Sequence, residues 1–351
     1  MMSERASREF GANPGLNQPE RDRGRKWSSL IVRLLISLTL LVGLLALADI
    51  HAIFELLRKA NVSLFVLVLL WMLFDRSLHA WKWILLLRVK MKDISVRLLL
   101  RVQFISNFVG NFIPFNIGND ITRVVGVAKH SGNTLHPLSS VIVERILGLV
   151  SLVIAVVLAV TVGMIRRASV ISPHIAWTIL GSVAVFACSG FVLWKARLIK
   201  KIIIPLVGYR TAYRWINKMA EVYDTCLSYG MHKDVILRVI LISSMTWVNA
   251  ILTTYVTALA LGIDVPLIYF FLCIPIISFL SLLPISANGI GIMEGAFVFF
   301  FSQVGASTSQ ALTLGLAMRV LMMVATLPGA LLLAIEGWPA KKLSTTKAST
   351  V

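Results

Sequence analysis

Charged side chains stand inside long apolar runs of this 351-residue chain. Asp75, Arg76, His79 and Lys82 lie in one run, Glu144 and Arg145 in a second, and Glu294 and Arg319 near the end. Ionised groups are costly in hydrocarbon, so residues of this kind either line a substrate or ion path or neutralise one another. Asp75 and His79 are four apart and share a helix face. Lys82, followed by Trp83 and the run from Ile84 to Leu87, is open to two readings. It either snorkels to the membrane surface beside an interfacial tryptophan belt or belongs to a buried site with Arg76. Glu144 and Arg145 are adjacent, so they should reach different partners. Arg319 has no acid close in sequence, and Glu294 is its natural counter-charge. That pair would serve a transported charge or simply lock two helices.

Two apolar stretches carry the second set of candidates. Asn111, Pro114, Asn116, Gly118, Asn119 and Asp120 interrupt the first, with Arg123 following; Pro284, Asn288, Gly289, Gly291 and Glu294 interrupt the second. Proline removes a backbone donor and glycine relaxes the chain, so neither stretch crosses lipid as one unbroken helix. Irregular backbone at membrane depth persists only where protein buries it or where it lines a wet cavity. Half-helix N-termini flanked by asparagine amides and an arginine are suited to an anion such as a phosphate head group.

Enzyme signatures point elsewhere. The sequence has no Gly-Lys dipeptide, which excludes a P-loop, no HExxH, and no His followed five residues later by Asp. Cys188, Cys226 and Cys273 form no CxxC pair and read as small packing residues. The expectation is therefore no catalytic residue, no metal and no cofactor.

Hydrophobic residues make up 58% of the chain, and the mean hydropathy is +0.85. Those values belong to an all-α polytopic membrane protein. A net charge of +18 would suggest nucleic acid in a soluble protein; here Lys and Arg cluster at the ends of apolar runs, where they set topology and meet anionic lipid, and no nucleic-acid partner is expected. Full spans are predicted at about 30–48, 62–87, 138–165, 175–194, 235–261 and 311–335, with the broken segments at about 98–117 and 266–304. Residues 1–29 read as a disordered basic tail, 30–336 as the transmembrane domain, and 337–351 as a C-terminal tail. Ala46 to Ala48 resembles a signal-peptide cleavage site, but the basic region ahead of it is long and further spans follow.

Counting Lys and Arg by connection places 24 on one side and 4 on the other, so both termini are expected in the cytosol. The two broken segments then enter from opposite faces. Each follows two spans and precedes one, so 30–165 and 175–336 form an inverted-topology repeat, an architecture shared by many alternating-access transporters. In the long connection 195–234, Trp215, Ile216, Met219, Tyr223 and Cys226 recur at helical spacing. They describe a helix lying either in the membrane interface or against the protein's own loops.

Arg76, Trp83, Pro114, Gly118, Asp120, Arg123, Glu144, Arg145, Pro284, Gly289, Gly291 and Glu294 together resemble the motifs of the lysylphosphatidylglycerol synthase transmembrane-region family of flippase-like proteins, over about residues 30–336. One departure is Gly118-Asn119, where the family usually has paired glycines. The resemblance implies moving lipids or lipid-linked compounds between leaflets, or supporting that transfer. Members that synthesise aminoacylated lipid carry a soluble transferase after the membrane part; with Val351 soon after the last span, a chain without that half is expected.

The combined expectation is a protein of a bacterial-type inner membrane that translocates, or helps to translocate, an anionic phospholipid or polyprenyl-linked lipid. Arg76, Arg123, Arg145 and Arg319 would engage phosphate; Asp120, Glu144 and Glu294 would balance them; Asn116, Gly118, Asn288, Gly289 and Gly291 would shape the path. The alternative is an intramembrane enzyme or accessory subunit in lipid-linked glycan or envelope lipid biosynthesis, and partner proteins would be enzymes of envelope biosynthesis.

Overall fold

The computed structural model describes residues 35, 38–40, 42–111, 118–165, 181, 221–281 and 286–337. These residues are helical throughout apart from short connections, and none of them forms a strand. The predicted span at 175–194, the tip of the first break at 112–117, which includes Pro114 and Asn116, and Pro284 in the second lie outside the described residues, as do both tails.

The helices are α1 (Leu38–Leu47), α2 (Ile50–Lys59), α3 (Val62–Lys90), α4 (Val96–Gly110), α5 (Gly118–Ser131), α6 (Leu135–Ile165), α7 (Lys233–Ala260), α8 (Leu267–Ser281), α9 (Ile292–Ser302), α10 (Thr308–Val324) and α11 (Leu327–Glu336). Among the described residues, four stretches are long and apolar enough to cross a membrane: α3, α6, α7 and the joined α10 and α11. The 29 residues of α3 reach about 43 Å at 1.5 Å per residue, which exceeds the hydrocarbon core. The first predicted span, at about 30–48, contains α1 and ends where the chain turns. Between α1 and α2 the chain bends by 85° at Ala48 and Asp49, because the Asp49 carboxylate caps α2 by accepting from the backbone N–H of His51 and Ala52.

Many large apolar side chains on α2, α3, α6 and α7 face outward, Leu70, Phe74, Leu158 and Leu237 among them. Exposed apolar surface of that extent is an interface with lipid. The interior is built where helices from the two ends of the chain meet. α3 runs antiparallel to α7, with the Asn61 N–H donating to the Ala260 carbonyl at one end and Trp71 Nε1 and Asp75 both bonded to Asn249 midway. The main core joins α3 and α6 to α7–α10, and Phe270 meets Tyr255 and Phe301 edge to face. α4 and α5 form a tight pair closed over Trp83, Leu99, Val127 and Val141. A Cβ on Gly126 would lie 2.9 Å from Val102 Cγ1, so the two half-helices touch only because that side chain is missing.

The second break turns at Asn288 and Gly289, both left-handed at φ 50° and 69°. Asparagine and glycine tolerate that conformation where other residues are strained. Beyond it, α9 begins at Ile292 with Glu294 reaching back to accept the Gly291 N–H at 2.8 Å. In the long connection, residues 221–228 are helical, and Cys226 packs with Leu86, Val143, Tyr229 and Val239. At this described end the apolar stripe docks on the protein itself; Trp215, Ile216 and Met219 lie outside the described residues.

Candidate functional site

α3, α4, α5, α6, α7, α8, α9 and α10 surround a cavity of about 530 Å³. Residues flanking both breaks line it: Gly110 and Asn111 from the end of α4, Asn119 from the start of α5, and Ser281, Asn288 and Met293 around the second break. Its charged lining consists of Arg76, Lys82, Arg123 and Arg145 with the single carboxylate of Glu144; His79 completes the ionisable set.

Arg123 is the hub. It is 3% exposed, and its guanidinium donates to Glu144 at 2.6 Å and to Asp120 at 2.5 Å while lying over the Trp83 ring at 5.2 Å from the centroid. A bare guanidinium would not stay in an apolar bundle, and two carboxylates with an aromatic face replace the water it loses. Trp83 is itself fixed by donating Nε1–H to Ser140 Oγ at 3.2 Å. Lys82 does not snorkel. It is 5% exposed, and its Nζ stands 3.5 Å from Glu144 and 3.5 Å from His79 Nδ1. His79 Nε2 lies 3.7 Å from Asp75, as the four-residue spacing predicts. Glu144 and Arg145 do reach different partners, for Arg145 Nε donates to Asp120 at 2.7 Å.

In the second half, Glu294 is fully buried and accepts from Arg319 Nε at 2.5 Å. Arg319 also donates to the carbonyls of Asn288 and Gly289 at 3.5 and 3.3 Å, so it clamps the break from behind. The pairing expected for these two residues is present, and neither of them lines the cavity. Of the predicted residues, Arg76, Arg123, Glu144, Arg145 and Asn288 line the cavity. Asp120, Glu294 and Arg319 stand behind that lining with Gly118, Gly289 and Gly291, and Asn116 falls outside the described residues.

Sequence reasoning missed the neutral polar lining. Gln103 and Asn107 sit one turn apart on α4 and are joined at 3.1 Å, and Asn107 also accepts from Asn119 at 2.8 Å. Ser243, Thr246 and Thr254 on α7 with Ser278 and Ser281 on α8 add hydroxyls to the lining. The signal was present in the sequence as amides and hydroxyls recurring at helical spacing within apolar runs. Among the described residues, no three His, Cys, Asp or Glu side chains gather in a way that would hold a metal ion.

The UPF0104 membrane protein PH1989 of Pyrococcus horikoshii is 24% identical over 317 residues, which cover 85% of this chain and 95% of that protein. No solved structure matches significantly. The family described as "Lysylphosphatidylglycerol synthase TM region" matches residues 30–329, a stretch that holds the cavity, both breaks and every paired charge described above. By that match, this chain belongs to the lysylphosphatidylglycerol synthase transmembrane-region family.

Proposed function

We propose that this protein moves an anionic lipid head group, on a phospholipid or a polyprenyl-linked lipid, between the leaflets of a bacterial-type inner membrane, with both termini in the cytosol. One observation carries the reading: four cationic side chains and one carboxylate face a cavity of about 530 Å³ inside a bundle whose outside is apolar. A head group would enter that cavity while its acyl or prenyl tails stay in lipid. Arg76, Lys82, Arg123 and Arg145 would receive the phosphate, and Glu144 and Asp120 would hold those cations in place between cargoes.

An inverted repeat supplies the two access states. Three relationships support it. The α3 helix pairs with α7 in antiparallel fashion, each being the helix before its half's break. Across the halves, α4 packs on α11 while α8 packs on α6, so each segment entering a break rests on the last span of the other half. Asp120 with Arg145 and Glu294 with Arg319 are acid–arginine pairs of equal sequence separation, 25 residues, each joining the helix after a break to the next span. Alternating access in such folds is a rocking of one repeat against the other around a fixed site.

The test is transbilayer exchange of a fluorescent anionic phospholipid in vesicles holding wild type, Arg123→Gln or Arg145→Ala. Exchange above empty vesicles is expected for wild type, with a loss on the order of tenfold or more in both variants. Equal exchange in all three at equal protein density would remove the residue assignment, and wild-type exchange no faster than that of empty vesicles would remove the function.

A further inference from the structure

The cavity has used up its anionic acceptors and kept donors in reserve. Both oxygens of Glu144 are engaged, by Arg123 at 2.6 Å and by Lys82 at 3.5 Å. Both oxygens of Asp120 are held by Arg123 and Arg145, and both of Glu294 by Arg319 and the Gly291 N–H. Asp75, behind His79, accepts from Asn249 with one oxygen and stands 3.7 Å from His79 Nε2 with the other, so among the described residues each carboxylate at the cavity already has partners. The donors stand differently. Arg76 Nε, Arg123 Nε, Asn107 Nδ2 and Ser243 Oγ are buried and unbonded, against one unbonded buried acceptor, Asn119 Oδ1, and all five residues face the cavity. Buried donors without acceptors are costly, so a ligand that fits must bring acceptor oxygens.

The hydroxyls of the lining add a second constraint. Thr246, Thr254 and Ser281 each donate their hydroxyl hydrogen to a helix carbonyl at 2.8 Å. Their oxygens are therefore left with lone pairs toward the cavity, which suits neutral O–H donors. A cation there would meet four like charges and only one carboxylate, in surroundings of low dielectric.

Resting on the function proposed above, we propose that the substrate is a phosphate ester whose head group is an uncharged polyol, such as glycerol or a sugar, and that the cavity rejects an aminoacylated or otherwise cationic head group. The phosphate oxygens meet the unbonded donors, and the polyol hydroxyls meet the hydroxyls of α7 and α8. Phosphatidylglycerol and a polyprenyl-phosphate hexose share this chemistry; the lysyl ester of phosphatidylglycerol adds positive charge that the cavity cannot pair.

Competition binding separates these lipids. The full-length protein in detergent is exposed to equal concentrations of phosphatidylglycerol, a polyprenyl-phosphate hexose and lysyl-phosphatidylglycerol, and bound lipid is read by native mass spectrometry. At least one of the two polyol phosphates is expected to outcompete the lysyl ester by about tenfold or more, and the one preferred identifies the lipid source. In Arg76→Glu, which adds an unpaired carboxylate, that preference should shrink several-fold. Equal binding of the lysyl ester overturns the inference whatever the vesicle assay gives. A preserved preference with no lipid crossing in vesicles upholds the head-group class and rejects transport instead.

Discussion

Arg145 donates from Nε to Asp120 at 2.7 Å, and the acid lies 25 residues before the arginine on the helix that leaves the first break. The same separation joins Glu294 to Arg319 after the second break. The two pairs differ in their surroundings. Arg145 is 47% exposed, and Asp120 keeps a second cation in Arg123. Glu294 has no exposure at all, and Arg319 is its one cationic partner among the described residues. The first pair borders the cavity and can open without stranding a charge, whereas the second is a fixed post.

That difference is measurable. Arg319→Met strands a buried carboxylate and should cost about 3–5 kcal/mol. Arg145→Met leaves Asp120 paired with Arg123 and should cost about 1 kcal/mol or less. Thermal unfolding of the purified variants in one detergent compares the two, and adding Glu294→Gln to Arg319→Met should recover most of the loss. Equal shifts for the single variants would contradict the division into a mobile and a fixed pair.

Two glycines separate blocking the cavity from breaking the fold. A Cβ on Gly148 meets nothing within 4 Å, and the residue lines the cavity one turn beyond Glu144. Gly148→Leu should therefore fill the path, abolish lipid exchange and leave the unfolding temperature within a degree or two of wild type, roughly what a change of under 0.5 kcal/mol gives. Gly329 is the opposite case, since its Cβ would stand 2.0 Å from the Phe104 carbonyl oxygen where α11 crosses α4. Gly329→Ala must push those helices apart and should lose about 1–3 kcal/mol. Gly148→Leu with wild-type exchange would show that the cargo takes another route.

How much of this was legible in the sequence depends on the range of the forces involved. Spans follow from runs of apolar residues, and α3, α6 and α7 begin within a few residues of the expected positions. The Glu294 and Arg319 pairing was legible because a lone cation and a lone acid in one apolar half have few alternatives. Lys82 was ambiguous because its depth depends on where α3 meets α6, a contact between residues 62 apart that no local pattern reports. The end of the first apolar run at Ala48 was legible and coincides with the 85° bend, whereas α2 beyond it was not expected, although an aspartate followed by a helical run is a capping signal. The hydroxyl lining was missed for a related reason: serines and threonines bond to their own helix carbonyls in any apolar helix, and only the packing shows which of them face a cavity.

Topology can be read with two introduced thiols. Lys59 ends α2 and Lys92 follows α3, so both are exposed, at opposite ends of one 29-residue helix. In intact cells, an impermeant maleimide added outside should label Lys59→Cys and spare Lys92→Cys until the membrane is permeabilised. Labelling of Lys92→Cys alone would reverse the orientation, and labelling of both from outside would mean that α3 does not span.

A native thiol tests the docking of the connection ahead of α7. Cys226 packs against Leu86 and Val143 and donates its S–H to the Ser139 carbonyl at 3.8 Å, outside the spanning helices. Burial pushes this thiol above its ordinary value. Only the thiolate reacts with alkylating reagents, so a raised value leaves a smaller reactive fraction at neutral pH and moves the rise in rate to higher pH. With Cys188 and Cys273 replaced by serine and the membrane permeabilised, iodoacetamide labelling of Cys226 should be slow near neutrality. Its rate should still be climbing at a pH where the exposed thiol of Lys92→Cys has levelled off, about one to two units above the usual thiol value of about 8.5. Val143→Ala, which loosens the contact, should bring the two profiles together. Matching profiles in the unaltered packing would show that the segment before α7 is not docked on α3 and α6.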